Sequence, residues 1–261
     1  EDSYKLVETP HLGMEHQSAV AYGNKYHNGY LGMDLSRTGW GTKFDYIVIH
    51  ESGHEWFANN ITTRDIADMW VHEGFTTYSE VIFVECQFGK KAADEYCRGH
   101  RQGISNEEPI IGTYGVNKEG SGDMYPKGAN LIHTIRQVIN DDDRFKKILR
   151  GMNREFYHGI TDSREVEEYF IRESGKDLAP IFNQYLRTTK IPELQYRFSD
   201  NKLSYRWSNC TEGFNMPVKV SLGDGFHWIH PTTQWQHYTG EGFDGKTFIP
   251  DPNFYITSSK Q

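Results

Sequence analysis

Two histidines and two glutamates, His50, Glu51, His54 and Glu73, are spaced so that they could hold and use a metal ion. His50-Glu51-Ser52-Gly53-His54 reads H-E-x-x-H, and Glu73 follows after eighteen intervening residues. Composition alone would produce such a five-residue pattern about 0.04 times in a chain of this length. On a helix, residues four apart share a face, so both imidazoles point the same way and suit Zn²⁺. Glu51 lies about 100° round the helix from His50, better placed to take a proton from a water at the metal than to bind it. With Glu73 as third protein ligand one position stays open, which is the arrangement of a catalytic zinc site, whereas a structural site is closed by four. Glu80 lies seven residues beyond Glu73 on the same helical face. It is a candidate to steady a ligand from behind, although a solvated surface glutamate would have the same spacing.

The elements that must position these groups follow from periodicity. Thr42 with Asp45 makes a capping-box-like start, and Phe44, Ile47, Val48, Trp56 and Phe57 recur at helical spacing, predicting a buried helix over 43–58. Asp68 is the expected cap of a second helix over 69–88, closed by Gly89, with Glu73 in its first turn. Upstream, one extended stretch is expected over 15–22, with loops elsewhere in 1–41. Downstream come a helix over 90–104, a polar loop over 105–123, and helices over 127–140 (opened by Pro126), 142–156, 163–174 (closed by Gly175) and 177–187. From Ile191 the period changes to two. Leu194, Tyr196 and Phe198 alternate, Asp200-Asn201 turns, Leu203, Tyr205 and Trp207 alternate, and Val218, Val220 and Leu222 repeat the theme. The expectation is an α+β protein: a mainly helical domain over 1–188 and a small all-β domain over 189–261.

The bulk numbers exclude several classes. The chain has 261 residues, a formal net charge of −8 and 14% aromatic residues, which argues for a packed core and against disorder. It has no basic stretch, so nucleic acid is not an expected partner, and no apolar run of membrane-spanning length. Cys86, Cys97 and Cys210 provide neither a disulfide framework nor a metal spacing. The compartment stays open. His16, His72, His100 and His133 are read as structural or surface groups.

Three segments together resemble the aminopeptidase N family of gluzincin zinc peptidases. HESGHEWFANN at 50–60 and WVHEGFTTYSE at 70–80 are similar to the family's H-E-x-x-H-x-W-F-G-N and W-L-N-E-G-F-A-x-Y-x-E patterns; GMEHQSA at 13–19 is similar to G-x-M-E-N, and MYPKGANL at 124–131 to Y-x-K-G-A. The resemblance implies a thermolysin-like catalytic domain followed by a small β-sandwich, and one Zn²⁺ held by His50, His54 and Glu73. It implies Glu51 as general base, Tyr125 as donor to the oxyanion, and Glu15, with Gly13 and Met14, as the strand that binds the free α-ammonium of a peptide. The chain departs from the pattern at Leu12, His16, Ala58 and His72, none of which is a ligand, base or catalytic tyrosine. The family also carries an N-terminal β-rich domain ahead of the G-x-M-E-N strand, and this chain starts about a dozen residues before that strand. The alternatives are a thermolysin-like endopeptidase, an epoxide hydrolase of the leukotriene type, and a weakly active peptide-binding fragment.

Overall fold

The computed structural model describes residues 3–199, 202–238, 243 and 246–261. A three-stranded sheet comes first: β1 (Leu6–Glu8), β2 (Gly13–Met14) and β3 (Val20–Tyr22), in the order β1-β3-β2, with β3 parallel to β1 and antiparallel to β2. Of the extended stretch expected over 15–22 only Val20–Tyr22 is strand; residues 15–19 form the turn from β2, where Ser18 takes a positive φ of 61°.

Helix α1 (Tyr46–Gly53) is shorter than expected. Its cap is Asp45, not Thr42: the Asp45 carboxylate accepts from the Val48 amide, while Thr42 Oγ1 donates to the Gly39 carbonyl. Asp45 also accepts from the Tyr22 hydroxyl and from Asn24 Nδ2, so the same carboxylate anchors the helix to β3. His54 is the C-cap of α1, and the chain then turns through 54–58. Trp56 falls in that turn and is 55% exposed, which corrects its place among the buried residues.

A short strand β4 (Ile61–Thr63) precedes α2 (Trp70–Phe88), which packs against α1, α3 (Lys90–Gly99) and α4 (Pro126–Ile139). Asp68 does not cap α2; the N-cap, Met69, makes no side-chain bond. Asp68 ends a 3-10 turn over Ile66–Asp68 and is wholly buried, accepting from the hydroxyls of Tyr114 and Ser163. Gly89 closes α2 with a φ of 91°, as expected. Then follow α5 (Asp142–Glu155), β5 (Gly159–Thr161, parallel to β4), α6 (Ser163–Ser174, capped by Asp162, closed by Gly175) and α7 (Ala179–Arg187).

The β-rich part contains β6 (Glu193–Ser199), β7 (Lys202–Ser208), β8 (Val218–Ser221), β9 (Phe226–Ile229), β10 (Gln236–His237), β11 (Ile249–Pro250) and β12 (Thr257–Lys260). They form two sheets, β10-β7-β6-β12 and β11-β8-β9. β6 and β7 pair antiparallel with Leu194 opposite Trp207, in the predicted alternation; the expected Asp200-Asn201 turn lies outside the described residues. Buried apolar side chains run without a break from Phe44 and Trp70 through Phe182 to Leu194, Trp207 and Phe254. Among the described residues, no helix is long and apolar enough to cross a membrane.

Candidate metal centre and active site

The site lies where α1, α2 and the start of α4 meet β2. α1 delivers His50 and Glu51, its C-cap delivers His54, and the first turn of α2 delivers Glu73. Three donor atoms converge. His50 Nε2 is 3.2 Å from His54 Nε2, and Glu73 Oε2 is 3.3 Å from each of them. A tetrahedral zinc with bonds of 2.0–2.1 Å to N and O would separate its ligand atoms by about 3.3–3.4 Å, so the set fits that ion.

The outer nitrogens explain how two imidazole Nε2 atoms can face each other. His50 Nδ1 lies 2.7 Å from Glu80 Oε1, and His54 Nδ1 lies 3.0 Å from the Phe57 carbonyl. Both partners are acceptors, so each Nδ1 carries the hydrogen and each Nε2 turns a lone pair inward. Two lone pairs and a carboxylate, all buried, call for a cation. Without a metal a proton takes that place: burial opposes a charge on His50, yet the hydrogen bonds to Glu73 and Glu80 push its pKa up to about 10, so that Nε2 then carries a hydrogen towards Glu73. Burial alone would raise Glu73, but bonds from His50 and His54 hold it down to about 2.

Two candidate substrate groups flank different histidines. Carboxylate oxygens of Glu15 and Glu51 and a nitrogen of His54 lie within 4.8 Å of one another. Burial, together with the charges of Glu15 and Glu73, raises the Glu51 pKa against the opposing pull of the two histidines. Tyr125 sits beside His50, its ring stacked on the imidazole at 5.9 Å. Burial and the neighbouring Glu73 carboxylate keep its phenol protonated, well above the usual tyrosine range.

Backbone approach brings these groups together. A Cβ at Gly13 would lie 2.4 Å from Glu51 Oε1 and 2.9 Å from Ile47 Cδ1, so β2 meets α1 where it has no side chain. Glu15 follows β2 directly, while Met14 lines a groove of about 560 Å³ shared with His11 and His16. Asn59 Nδ2 donates to the Glu15 carbonyl and ties that strand to the turn after α1.

His72 is not brought into the donor set: its Nε2 accepts from the Thr63 amide at 3.0 Å, and burial pushes its pKa down to about 4. The sequence reading missed three residues that touch the histidines or their partners. Tyr46 stacks on His50 at 5.3 Å, and Thr76 Oγ1 lies 3.1 Å from His54 Nδ1. Both stand one helical turn from a site residue, a spacing that could have found them. Tyr96, which donates to Glu80 at 2.6 Å, comes from α3 and leaves no local signal.

Comparison with known proteins decides the family. The profile of the peptidase family M1 domain matches residues 6–185. The chain belongs to peptidase family M1. Among M1-type relatives, aminopeptidase B of Rattus norvegicus is 27% identical over 168 residues, covering 56% of this chain and 26% of its own. Aminopeptidase N of Lactococcus lactis is 24% identical over 221 residues, covering 77% of this chain and again 26% of its own. The chain thus spans about a quarter of the length of these relatives. Aminopeptidase A of Legionella pneumophila, solved with aspartic acid, superposes with a TM-score of 0.72 at 16% identity, over 98% of this chain and 32% of that one. A variant of the M1 zinc metallopeptidase of Deinococcus radiodurans, bound to a Tyr-Ser-Ala substrate, gives 0.56 at 18% identity, over 72% and 40%. At these identities the structural likeness is one of fold.

Proposed function

We propose that the chain is the catalytic unit of a zinc-dependent aminopeptidase that removes the N-terminal residue of peptides. The observation that carries this reading is the buried convergence of His50 Nε2, His54 Nε2 and Glu73 Oε2, with Glu51 and Glu15 beside it. Zinc held there supplies Lewis-acid activation of water and of the scissile carbonyl. Glu51 accepts the proton of the attacking water and passes it to the leaving amine, a role suited by its raised pKa. The Tyr125 hydroxyl donates to the oxygen on which negative charge develops. Glu15 pairs with the free α-ammonium and so places the first peptide bond, and no later one, at the reacting centre. Glu80 fixes the tautomer of His50.

Two further readings belong to the same proposal. Residues 1–188 act as the thermolysin-like catalytic domain, and the two sheets over 189–261 as a small β-sandwich domain beside it. In the family an N-terminal β domain completes the cleft, so a longer polypeptide carrying one is expected to turn over peptides faster than these 261 residues alone.

Hydrolysis of amino-acid arylamides tests the reading. Chelation should abolish it and added Zn²⁺ restore it, and Glu51→Gln should lower kcat by about 10²–10⁴-fold. Activity that survives both treatments would refute the proposal. Peptides with blocked N-termini separate the endopeptidase alternative: equal cleavage of blocked and free peptides would favour it and remove the role given to Glu15.

A further inference from the structure

His50 has two nitrogens, and the donor set uses only Nε2. Nδ1 rests on Glu80 Oε1 at 2.7 Å. Glu80 is wholly buried, so its second oxygen also needs a donor. Tyr96 supplies it: its hydroxyl donates to Glu80 Oε2 at 2.6 Å. His100 Nε2 is 4.0 Å from the same oxygen, beyond hydrogen-bond range, and makes no hydrogen bond of its own. Tyr96 is itself held. It is 1% exposed, packed edge-on against His100 at 4.7 Å and close to Phe44 at 5.9 Å. Burial and the Glu80 charge keep its phenol protonated and therefore a donor. A continuous chain of hydrogen bonds thus runs from α3, through α2, to the metal-facing imidazole of α1.

We propose that Tyr96 is a positioning residue for the metal: its hydroxyl orients Glu80, and Glu80 in turn orients His50. The proposal rests on the zinc reading of the site. A carboxylate anchored through only one oxygen can rotate about its terminal torsion and tilt the imidazole it holds. With both oxygens engaged it cannot do so without breaking a buried bond. Partners behind a metal-bound histidine typically change metal affinity by about 10–100-fold when removed.

The test uses the metal-free chain titrated with Zn²⁺ against a chromophoric chelator, and with Co²⁺ followed by its visible spectrum. Tyr96→Phe removes one oxygen atom and should raise the Zn²⁺ Kd about 10–100-fold, with an altered Co²⁺ spectrum. Glu80→Gln should weaken binding as well, and adding Tyr96→Phe to it should change little further, because the hydroxyl acts through the carboxylate. His100→Leu, which leaves the hydroxyl in place, should hold the Kd within about twofold. The proposal is overturned if Tyr96→Phe binds Zn²⁺ as the wild type does, if the two substitutions add in full, or if His100→Leu weakens binding equally. Wild-type protein with no Zn²⁺ affinity would remove the zinc reading and this proposal with it.

Discussion

Ala58 holds a φ of 152°, in the region that favours glycine, and the related family pattern has glycine at this position. The angle serves the turn that leaves α1 after His54: Thr62 Oγ1 donates to the Ala58 carbonyl, and the next residue, Asn59, reaches the Glu15 strand. A non-glycine residue in such a conformation costs on the order of 1–3 kcal/mol, while glycine gives back roughly 0.5–1 kcal/mol in backbone entropy and loses about 0.8 kcal/mol of methyl burial. At the middle of these ranges Ala58→Gly should therefore stabilise the fold by about 0.5 kcal/mol, read as a higher urea midpoint at constant slope. A lower midpoint would show that the methyl packing outweighs the strain. The candidate metal set was legible at this scale because H-E-x-x-H and Glu73 are local patterns whose geometry one helix pair dictates. Tyr96 was not, since its partner Glu80 lies sixteen residues away on another helix.

Helices α2 and α4 meet glycine to glycine, and this contact places Tyr125 against His50. A Cβ on Gly128 would come 2.9 Å from Gly74 Cα, and one on Gly74 would come 3.2 Å from Gly128 Cα, in each case against backbone that cannot swing away. Gly74 follows Glu73 directly, and Gly128 is three residues past Tyr125, so the crossing sets the spacing between the two. Gly128→Ala must push the helices apart, and overpacking of this kind costs about 1–3 kcal/mol. It should also lower kcat/KM by about tenfold or more through misplacement of Tyr125. Unchanged melting and unchanged kinetics together would show that the crossing is slack. Element positions from α3 to α7 followed the sequence closely because Pro126, Gly89 and Gly175 act locally. The misreadings arose where a tertiary partner captured a capping residue. Asp68 has the chemistry of an N-cap but is taken by Tyr114 and Ser163, and α1 starts past Thr42 at Asp45, whose carboxylate also accepts from Tyr22 of β3.

The β-rich part returns its last segment to the helical part, and Arg101 receives it. Arg101 Nη1 donates to the Pro252 carbonyl at 2.8 Å and Nη2 to the Asn253 carbonyl at 3.3 Å, while Nε holds Asn130 Oδ1 of α4 at 2.6 Å. The guanidinium also lies over the Tyr255 ring, 5.3 Å from its centroid. Tyr255 is gripped at both ends of its backbone: its amide donates to Thr134 Oγ1 of α4, and its carbonyl accepts from the Tyr185 hydroxyl of α7. These bonds join residues more than sixty positions apart, and period and composition carry no trace of them. With the apolar core continuous from Trp70 to Trp207, the helical and β-rich parts should unfold in one step. Denaturant unfolding followed by far-ultraviolet circular dichroism and by tryptophan fluorescence should give coincident transitions. Arg101→Ala removes the donor to the exposed Pro252 carbonyl and to the partly buried Asn253 carbonyl and should cost about 1–2 kcal/mol. With the core still continuous and Tyr255 still tied to α4 and α7, the two transitions should stay coincident and move together to a lower midpoint. Transitions that remain coincident at an unchanged midpoint would assign the coupling to the apolar core and leave Arg101 a surface bond without mechanical consequence.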